Sequence, residues 1–359
     1  MKIVYVISGL GAGGAEKILV EQANYFVKKG YDISIVLFNS KESFYKLDST
    51  IKIIRLQLSR SKIKLYRAIE NRFSIITSLR EVFLQENPDV IISFITKTNI
   101  SSTIAAKLAK KTIILSEHTN YTRNARDFLG FVRRVIYPLA DAVVVLTNYD
   151  KIKYNFVKNV YVIKNPLVIK NTYFDIERKK ILLGVGRLVH LKGFDLLLKA
   201  FSHVKVDDWK LVIVGEGPKR KELEQLAKDL KIDNIVEFPG LTQDIEKYYK
   251  EASIFVLSSR IEGFPNALCE AMGYGCPSIA YNCLTGPSDI IIDGQNGILV
   301  EAENIHSLAN KIEKLIYDVE LRDQLGYNAR TILNKLDVNL ITKQWIQVFK
   351  DLNIEERSK

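Results

Sequence analysis

No stretch of this 359-residue sequence strings together the ~20 apolar residues that a transmembrane helix needs. No spanning helix is therefore expected. Cysteine is scarce. Cys269, Cys276 and Cys283 are spaced by seven and form no C-x-x-C pair. That spacing argues against zinc and against a disulfide framework, and predicts buried thiols in a reducing cytoplasm. There is no short internal repeat and no low-complexity tract. The start, Met1-Lys2-Ile3-Val4-Tyr5-Val6-Ile7, runs straight into glycines without a small-residue cleavage site, so no signal peptide is expected. Asp207 and Asp208 are adjacent and do not make the D-x-D arrangement that holds a divalent ion on a sugar diphosphate.

What is present fits a large α/β protein. At this length two domains are a better expectation than one, and 47% hydrophobic residues supply their cores. The formal charge of +11 is lopsided. Residues 1–170 carry 27 Lys and Arg against 13 Asp and Glu, a net of +14. Residues 171–359 carry 25 against 28, a net of −3. A basic half and a near-neutral half point to different partners. An anionic membrane surface and a phosphorylated substrate both suit the basic half. Nucleic acid would suit the charge too, but no single-strand-binding motif is present.

Apolar runs alternate with amphipathic segments along the chain. Strands are predicted at 2–8, 33–38, 90–94, 113–116, 142–146 and 160–163, then at 181–185, 210–214, 235–238, 254–257, 278–280 and 297–300. This is the βαβ pattern of a parallel sheet. It runs twice, around a polar break at 164–180 that contains Pro166. The prediction is two Rossmann-like, doubly wound domains, 1–165 and 178–335, facing a cleft. Ligands of such sheets bind beyond the carboxyl ends of the strands, so chemistry is sought in the loops that follow strands.

One such loop carries Glu262-Gly263-Phe264-Pro265-Asn266-Ala267-Leu268-Cys269-Glu270. A strand precedes it and a helix, 267–274, follows. Glu262 stands at the strand exit and Glu270 about two turns into the helix, at ~3.6 residues per turn. Amides at the helix start can receive an anion or a sugar hydroxyl, and carboxylates can accept from a diol. In isolation the two glutamates would read as solvated surface acids. Elsewhere, Gly184-Val185-Gly186-Arg187-Leu188 leads to His190-Leu191-Lys192-Gly193-Phe194-Asp195. Arg187 as a fork and Lys192 as a point charge suit a diphosphate; the competing reading is a surface pair bonded to nearby acids such as Asp195. Val214-Gly215-Glu216-Gly217 and Phe238-Pro239-Gly240 are further strand exits that can border a base.

In the basic half, Ser8-Gly9-Leu10-Gly11-Ala12-Gly13-Gly14-Ala15-Glu16 satisfies G-x-G-x-x-G. Its glycines permit close backbone approach, and the following helix aims amides at negative charge. A nicotinamide site would want an acid after the second strand, where Asn39 and Ser40 stand instead. His118, in Ser116-Glu117-His118-Thr119-Asn120, lies past the 113–116 strand at a place suited to chemistry. Lys62, Lys64, Arg67 and Arg72 lie on a basic, amphipathic stretch, and Arg133 and Arg134 adjoin Phe128, Leu129, Phe131 and Val132. These six cations are read as contacts to an anionic lipid surface or a pyrophosphate; an ordinary solvated helix competes for each stretch.

Together, Gly-Gly-Ala-Glu at 13–16, Gly186-Arg187 with Lys192, the Gly215-Glu216-Gly217 turn and the E-x7-E of Glu262 and Glu270 resemble glycosyltransferase family four, with the GT-B fold. The resemblance covers essentially the whole chain. It implies a retaining transferase that uses a nucleotide-diphosphate sugar, UDP-linked, and requires no metal or other cofactor. It implies that Gly13 and Gly14 approach the donor, that Arg187 and Lys192 neutralise the diphosphate, and that Glu262 holds the sugar hydroxyls beside the amides of Phe264 to Ala267. Glu270 would hold the ribose, and His118 would contact the transferred sugar. The last amphipathic segment, 339–352, resembles one that crosses back to the first domain. Residues 42–47, Ile92-Ser93-Phe94 with Thr98-Asn99-Ile100, Ser116-Glu117-His118, and Arg133-Arg134-Val135 with Tyr137-Pro138 look closer still to N-acetylgalactosaminyltransferases that extend undecaprenyl-pyrophosphate glycans. That likeness implies a polyprenyl-pyrophosphate-linked acceptor and a peripheral place on the inner face of the cell membrane.

Two other classes compete. A nucleotide-sugar epimerase or nicotinamide dehydrogenase could use similar domains, but neither accounts for the E-x7-E with Arg187 and Lys192. A non-catalytic sugar-nucleotide-binding protein would not need the full set of donor residues.

Overall fold

The computed structural model describes residues 1–56, 67–125, 127–169, 177–205 and 208–354. The chain divides into two units, Met1–Pro166 with Asn339–Lys359, and Leu167–Val338.

The first unit is built on β1 (Lys2–Ile7), β2 (Asp32–Leu37), β3 (Lys52–Arg55), β4 (Val90–Phe94), β5 (Ile113–Ser116), β6 (Ala142–Val145) and β7 (Val160–Val162). They form one sheet in the order β3-β2-β1-β4-β5-β6-β7, and every pairing is parallel. Helices α1 (Gly14–Lys28), α2 (Arg67–Glu86), α3 (Thr96–Leu108), α4 (Phe128–Ile136) and α5 (Asn148–Lys153) make the crossovers. A strand sends alternate side chains to opposite faces. On β1, Ile3, Tyr5 and Ile7 enter one core while Val4 and Val6 enter the other. Both faces are covered, which is why these strands read as unbroken apolar runs rather than as alternation.

The second unit repeats the plan with β8 (Lys179–Val185), β9 (Lys210–Val214), β10 (Val236–Gly240), β11 (Ala252–Leu257), β12 (Ser278–Asn282) and β13 (Ile298–Glu301), in the order β10-β9-β8-β11-β12-β13. Its helices are α6 (Phe194–Ser202), α7 (Arg220–Asp229), α8 (Ile245–Glu251), α9 (Asn266–Gly273), α10 (Ile305–Tyr317), α11 (Val319–Ala329) and α12 (Ile332–Lys335). The strand order reverses direction between β1 and β4 in one sheet and between β8 and β11 in the other. At such a switch point neighbouring loops diverge and leave a crevice at the strand ends.

The twelve predicted strands are all found, shifted by two residues at most at either end. The missed one, β3, is short and flanked by Lys52 and Arg55, and it lies at the sheet edge with none of its residues buried. Helix α13 (Val338–Asp351) follows the second unit. From Asn339 on it belongs to the first unit. There Ile341, Trp345, Val348 and Phe349 join the core that holds Tyr5 and Phe26, and the rings of Phe26 and Phe349 lie 6.0 Å apart. No described helix is long and apolar enough to cross a membrane. Truncating the largest of these anchors, Trp345→Ala, is expected to cost about 3–5 kcal/mol and lower the Tm; an unchanged Tm would mean that α13 adds nothing to this core.

Candidate functional site

In the second unit the loops after β8 and β11 flank the switch point. Their shapes are set by close backbone approach. Gly215 has φ of 146°, and a Cβ there would lie 1.9 Å from the Gly186 carbonyl oxygen. Gly193 has φ of 64°, and a Cβ there would lie 2.0 Å from the Ser258 carbonyl oxygen. No side chain fits at either place, so glycine lets the loop carrying Lys192 lie directly on the loop that leads to Glu262. The Ser258 hydroxyl then donates to the Lys192 carbonyl at 3.0 Å.

The contact brings together two residues 70 positions apart. Lys192 Nζ donates to Glu262 Oε1 at 2.7 Å, and the Ser259 hydroxyl donates to the same oxygen at 2.6 Å. The Thr285 hydroxyl holds the Glu262 carbonyl at 2.6 Å. Glu262 is buried, with 5% exposure. Arg187 is different: it is exposed at the end of β8 and has no ion pair among the described residues. The two predicted diphosphate cations are thus not equivalent. One is already engaged by a carboxylate and the other is open. Neither is bonded to Asp195, which pairs with Arg260. Past Gly263, Phe264 and Pro265, helix α9 starts at Asn266, and its first amides have no partner one turn earlier within the helix. Ala267 is in that first turn and Glu270 follows, half-buried. Gly215 lies on the same side of the sheet, its amide bonded to the carbonyl of Gly240 at 3.0 Å, next to exposed Pro239.

In the first unit Gly13 caps α1 and Gly14 opens it; Gly13 has no side chain to cap the helix, and a Cβ there would lie 2.1 Å from the Glu16 carboxylate. Asn39 packs on this loop: a Cβ at Gly9 would meet its Nδ2 at 2.0 Å. A neutral amide therefore fills the region where a dinucleotide site would carry its acid. At the end of β5, the His118 ring stacks on Phe94 with 4.9 Å between centroids, and Nε2 lies 2.9 Å from the Ser116 hydroxyl. His118 is half-buried, and desolvation lowers the imidazole from its usual 6.5 to about 3. Beside it, Glu117 is buried. Burial raises its pKa, opposed by hydrogen bonds and by the charge of Arg133. Asn99 donates to it at 2.9 Å, Thr96 and Thr119 at 3.1 Å, and the Tyr137 hydroxyl donates as well.

Glycosyl transferases group 1 is the family model matched by residues 169–332, and Glycosyltransferase Family 4 the one matched by residues 12–167. A Campylobacter jejuni protein named as the GalNAc-alpha-(1->4)-GalNAc-alpha-(1->3)-diNAcBac-PP-undecaprenol alpha-1,4-N-acetyl-D-galactosaminyltransferase is 35% identical over 98% of this chain and 99% of its own. The chain belongs to glycosyltransferase family four. A second Campylobacter jejuni relative, named as an N-acetylgalactosamine-N,N'-diacetylbacillosaminyl-diphospho-undecaprenol 4-alpha-N-acetylgalactosaminyltransferase, is 26% identical over 94% of this chain and 96% of its own. Among solved structures, a Staphylococcus aureus TarM variant in complex with UDP has a TM-score of 0.82 at 18% identity, covering 97% of this chain and 99% of the other. The GT-B architecture is shared.

Among the described residues this family-four glycosyltransferase departs from the expected site at Arg133. Arg133 is not a surface contact. It is wholly buried, its guanidinium carbon 4.0 Å from the centre of the Tyr121 ring, and it donates to the Tyr121 carbonyl at 3.1 Å. Helical spacing explains this: Gly130, Arg133 and Tyr137 fall on the inner face, and Phe128, Phe131 and Arg134 on the outer. Lys62 and Lys64 lie outside the described residues, as do the side chains of Arg67 and Arg72 on α2. Sequence reasoning missed Ser259, Thr285 and Glu117. Ser259 lies three residues before Glu262 and Glu117 stands beside His118 in a motif already noted, whereas Thr285 gave no signal. The cysteines are all buried and free, and desolvation pushes the Cys276 thiol up to about 11.

A lowered pKa keeps His118 unprotonated in the folded chain until the pH nears about 3, whereas the unfolded chain takes up that proton near 6.5. Its contribution to folding is therefore intact at neutral pH and is lost as the pH falls through that window. In a histidine-selective NMR titration the His118 ring is expected to stay neutral down to about pH 5. A titration near its usual value would overturn this assignment.

Proposed function

We propose that the chain transfers a hexose or N-acetylhexosamine, N-acetylgalactosamine first among them, from a UDP-linked donor to a polyprenyl-pyrophosphate-linked glycan, with retention, in bacterial glycan assembly. The observation that carries this reading is the pairing of Lys192 with buried Glu262 at the switch point of the second sheet, beside open Arg187. Breaking an anomeric carbon–phosphate bond leaves positive charge on the sugar and negative charge on the diphosphate. Arg187 and Lys192 neutralise the leaving oxygens in place of a metal ion, a kind of electrostatic assistance that often dominates catalysis. Glu262 holds the sugar hydroxyls, Glu270 the ribose, and neutral His118 the transferred sugar near its reacting carbon. The leaving phosphate takes the acceptor's proton, and attack comes from the same face. The named substrates of the two Campylobacter relatives support the acceptor class, and the UDP bound by the TarM variant supports the donor class.

With a panel of UDP-sugars and a polyprenyl-pyrophosphate glycan, one donor is expected to give an α-linked product, and Arg187→Ala to lower kcat/KM by about 10²–10³-fold. Full activity in that variant would remove Arg187 from the diphosphate, and a β-linked product from an α-donor would end the same-face mechanism.

A lipid-linked acceptor calls for attachment to the inner face of the membrane. The outer face of α4 supports it: Phe128 is 72% and Phe131 64% exposed, with Val135 and Leu139 also exposed and exposed Arg134 on the same helix. Aromatic side chains flanked by cations suit an anionic bilayer interface. Replacing both, Phe128→Ser with Phe131→Ser, should weaken sedimentation with vesicles rich in anionic phospholipid by about tenfold or more. Unchanged sedimentation would return this face to ordinary solvent exposure.

A further inference from the structure

We propose that Arg260 is a positioning residue for the transfer reaction, one that sets the geometry of Lys192 and Glu262 without touching the donor. The proposal rests on the donor site described above. Arg260 lies two residues before Glu262, in the loop after β11. Its guanidinium holds Asp195 in a two-point fork, at 2.8 and 2.7 Å. The same group donates to the His190 carbonyl at 2.8 Å and to Glu303 at 2.9 Å. Its backbone amide donates to the Leu191 carbonyl at 2.9 Å.

These bonds join three loops of one sheet. Asp195 and His190 bracket Lys192 after β8, Arg260 precedes Glu262 after β11, and Glu303 stands just past β13. Glu303 itself has φ of 62°, a left-handed turn that side chains rarely adopt. Two further hydrogen bonds join the Lys192 loop to the Glu262 loop within two residues of Arg260, the Ser258 hydroxyl to the Lys192 carbonyl and Lys192 to the Glu262 carboxylate.

This is not a casual surface pair. The Arg260 side chain is 12% exposed and that of Asp195 is 29%. Burial alone would raise the Asp195 carboxyl, and Arg260 more than offsets it, so the acid sits below its usual range. A planar fork on a carboxylate fixes orientation as well as distance. Lysine would keep the charge and lose the orientation, since one ammonium cannot serve Asp195, Glu303 and the His190 carbonyl in that arrangement. Displacing reacting groups by about 1 Å can cost about 10²-fold in rate. The loss should fall on turnover, because the ribose contact proposed for Glu270 lies on α9, away from the fork.

The test is Arg260→Lys, alone and with Asp195→Asn. The variant is expected to fold with a Tm close to that of the parent and to lose less in UDP affinity than in kcat. Its kcat is expected to fall by about ten- to hundredfold. In the double variant the two losses should not add. Millimolar guanidinium ion should restore part of the turnover of Arg260→Ala. Hydrogen exchange gives a readout independent of activity: Arg260→Lys should speed amide exchange in 188–195 and 258–264 together. Unchanged kcat, or faster exchange confined to one loop, would overturn the proposal, as would a kcat loss that tracks the folded fraction. A parent chain that transfers no sugar would count against the donor site, while the exchange pattern would still decide whether Arg260 joins the two loops.

Discussion

The ion pair between Lys192 and Glu262 is the constraint from which the rest of the second unit's site follows. A carboxylate with 5% exposure is strongly disfavoured as an ion unless it is paired and hydrogen-bonded. Glu262 has both, through Lys192 and Ser259. Removing one partner of a buried pair typically costs about 3–5 kcal/mol. Lys192 is 28% exposed, so water screens part of that here, but the direction is the same. The two side chains therefore hold each other in place, with Ser259 as the second donor to the same carboxylate oxygen. Glycines at 193 and 215 are required because they let the backbones approach closely enough for the pair to form.

The fold places these loops by a simple rule applied twice. Parallel strands covered by helices on both faces put all their outgoing loops at one end. The reversal of strand order then separates two neighbouring loops and opens room between them. In the second unit the separated loops are those after β8 and β11, which carry the cations and Glu262. In the first they are those after β1 and β4. The glycine loop follows β1, and His118 follows the next strand, β5, with its ring on Phe94 at the end of β4. The candidate residues are concentrated at these ends, while the strands themselves are committed to packing.

Much of this was legible in the sequence. The apolar runs gave the strands because a strand buried on both faces has no polar positions to blur the signal. Edge strand β3 escaped notice because none of its residues is buried. Glu262, Lys192 and Arg187 were visible because strand-loop-helix junctions are visible. Their pairing was not, since it depends on two loops 70 positions apart coming into register. Arg260 drew no attention for the same reason: its partners Asp195 and Glu303 lie 65 and 43 positions away. Arg133 was misread as a surface cation because charge usually means exposure. A guanidinium can be buried when an aromatic face and a carbonyl receive it, and Tyr121 provides both.

Buried Arg133 also changes what α4 does in the first unit. Its outer face is apolar and exposed, but its inner face is fastened by polar contacts to the segment that carries His118. Arg133 holds Tyr121, and Tyr137, just past the helix, donates to Glu117. Glu117 in turn is held by Asn99 and Thr96 from α3. A hydrophobic contact in these places would leave the helix free to slide, whereas directed hydrogen bonds in a dry interior fix one arrangement. The desolvation cost of Glu117 is therefore balanced by a rigid joint between α4 and the His118 loop. The joint is made of side chains on both parts, Arg133 on the Tyr121 carbonyl and Tyr137 on the Glu117 carboxylate, so its geometry depends on their directions and not on apolar area alone.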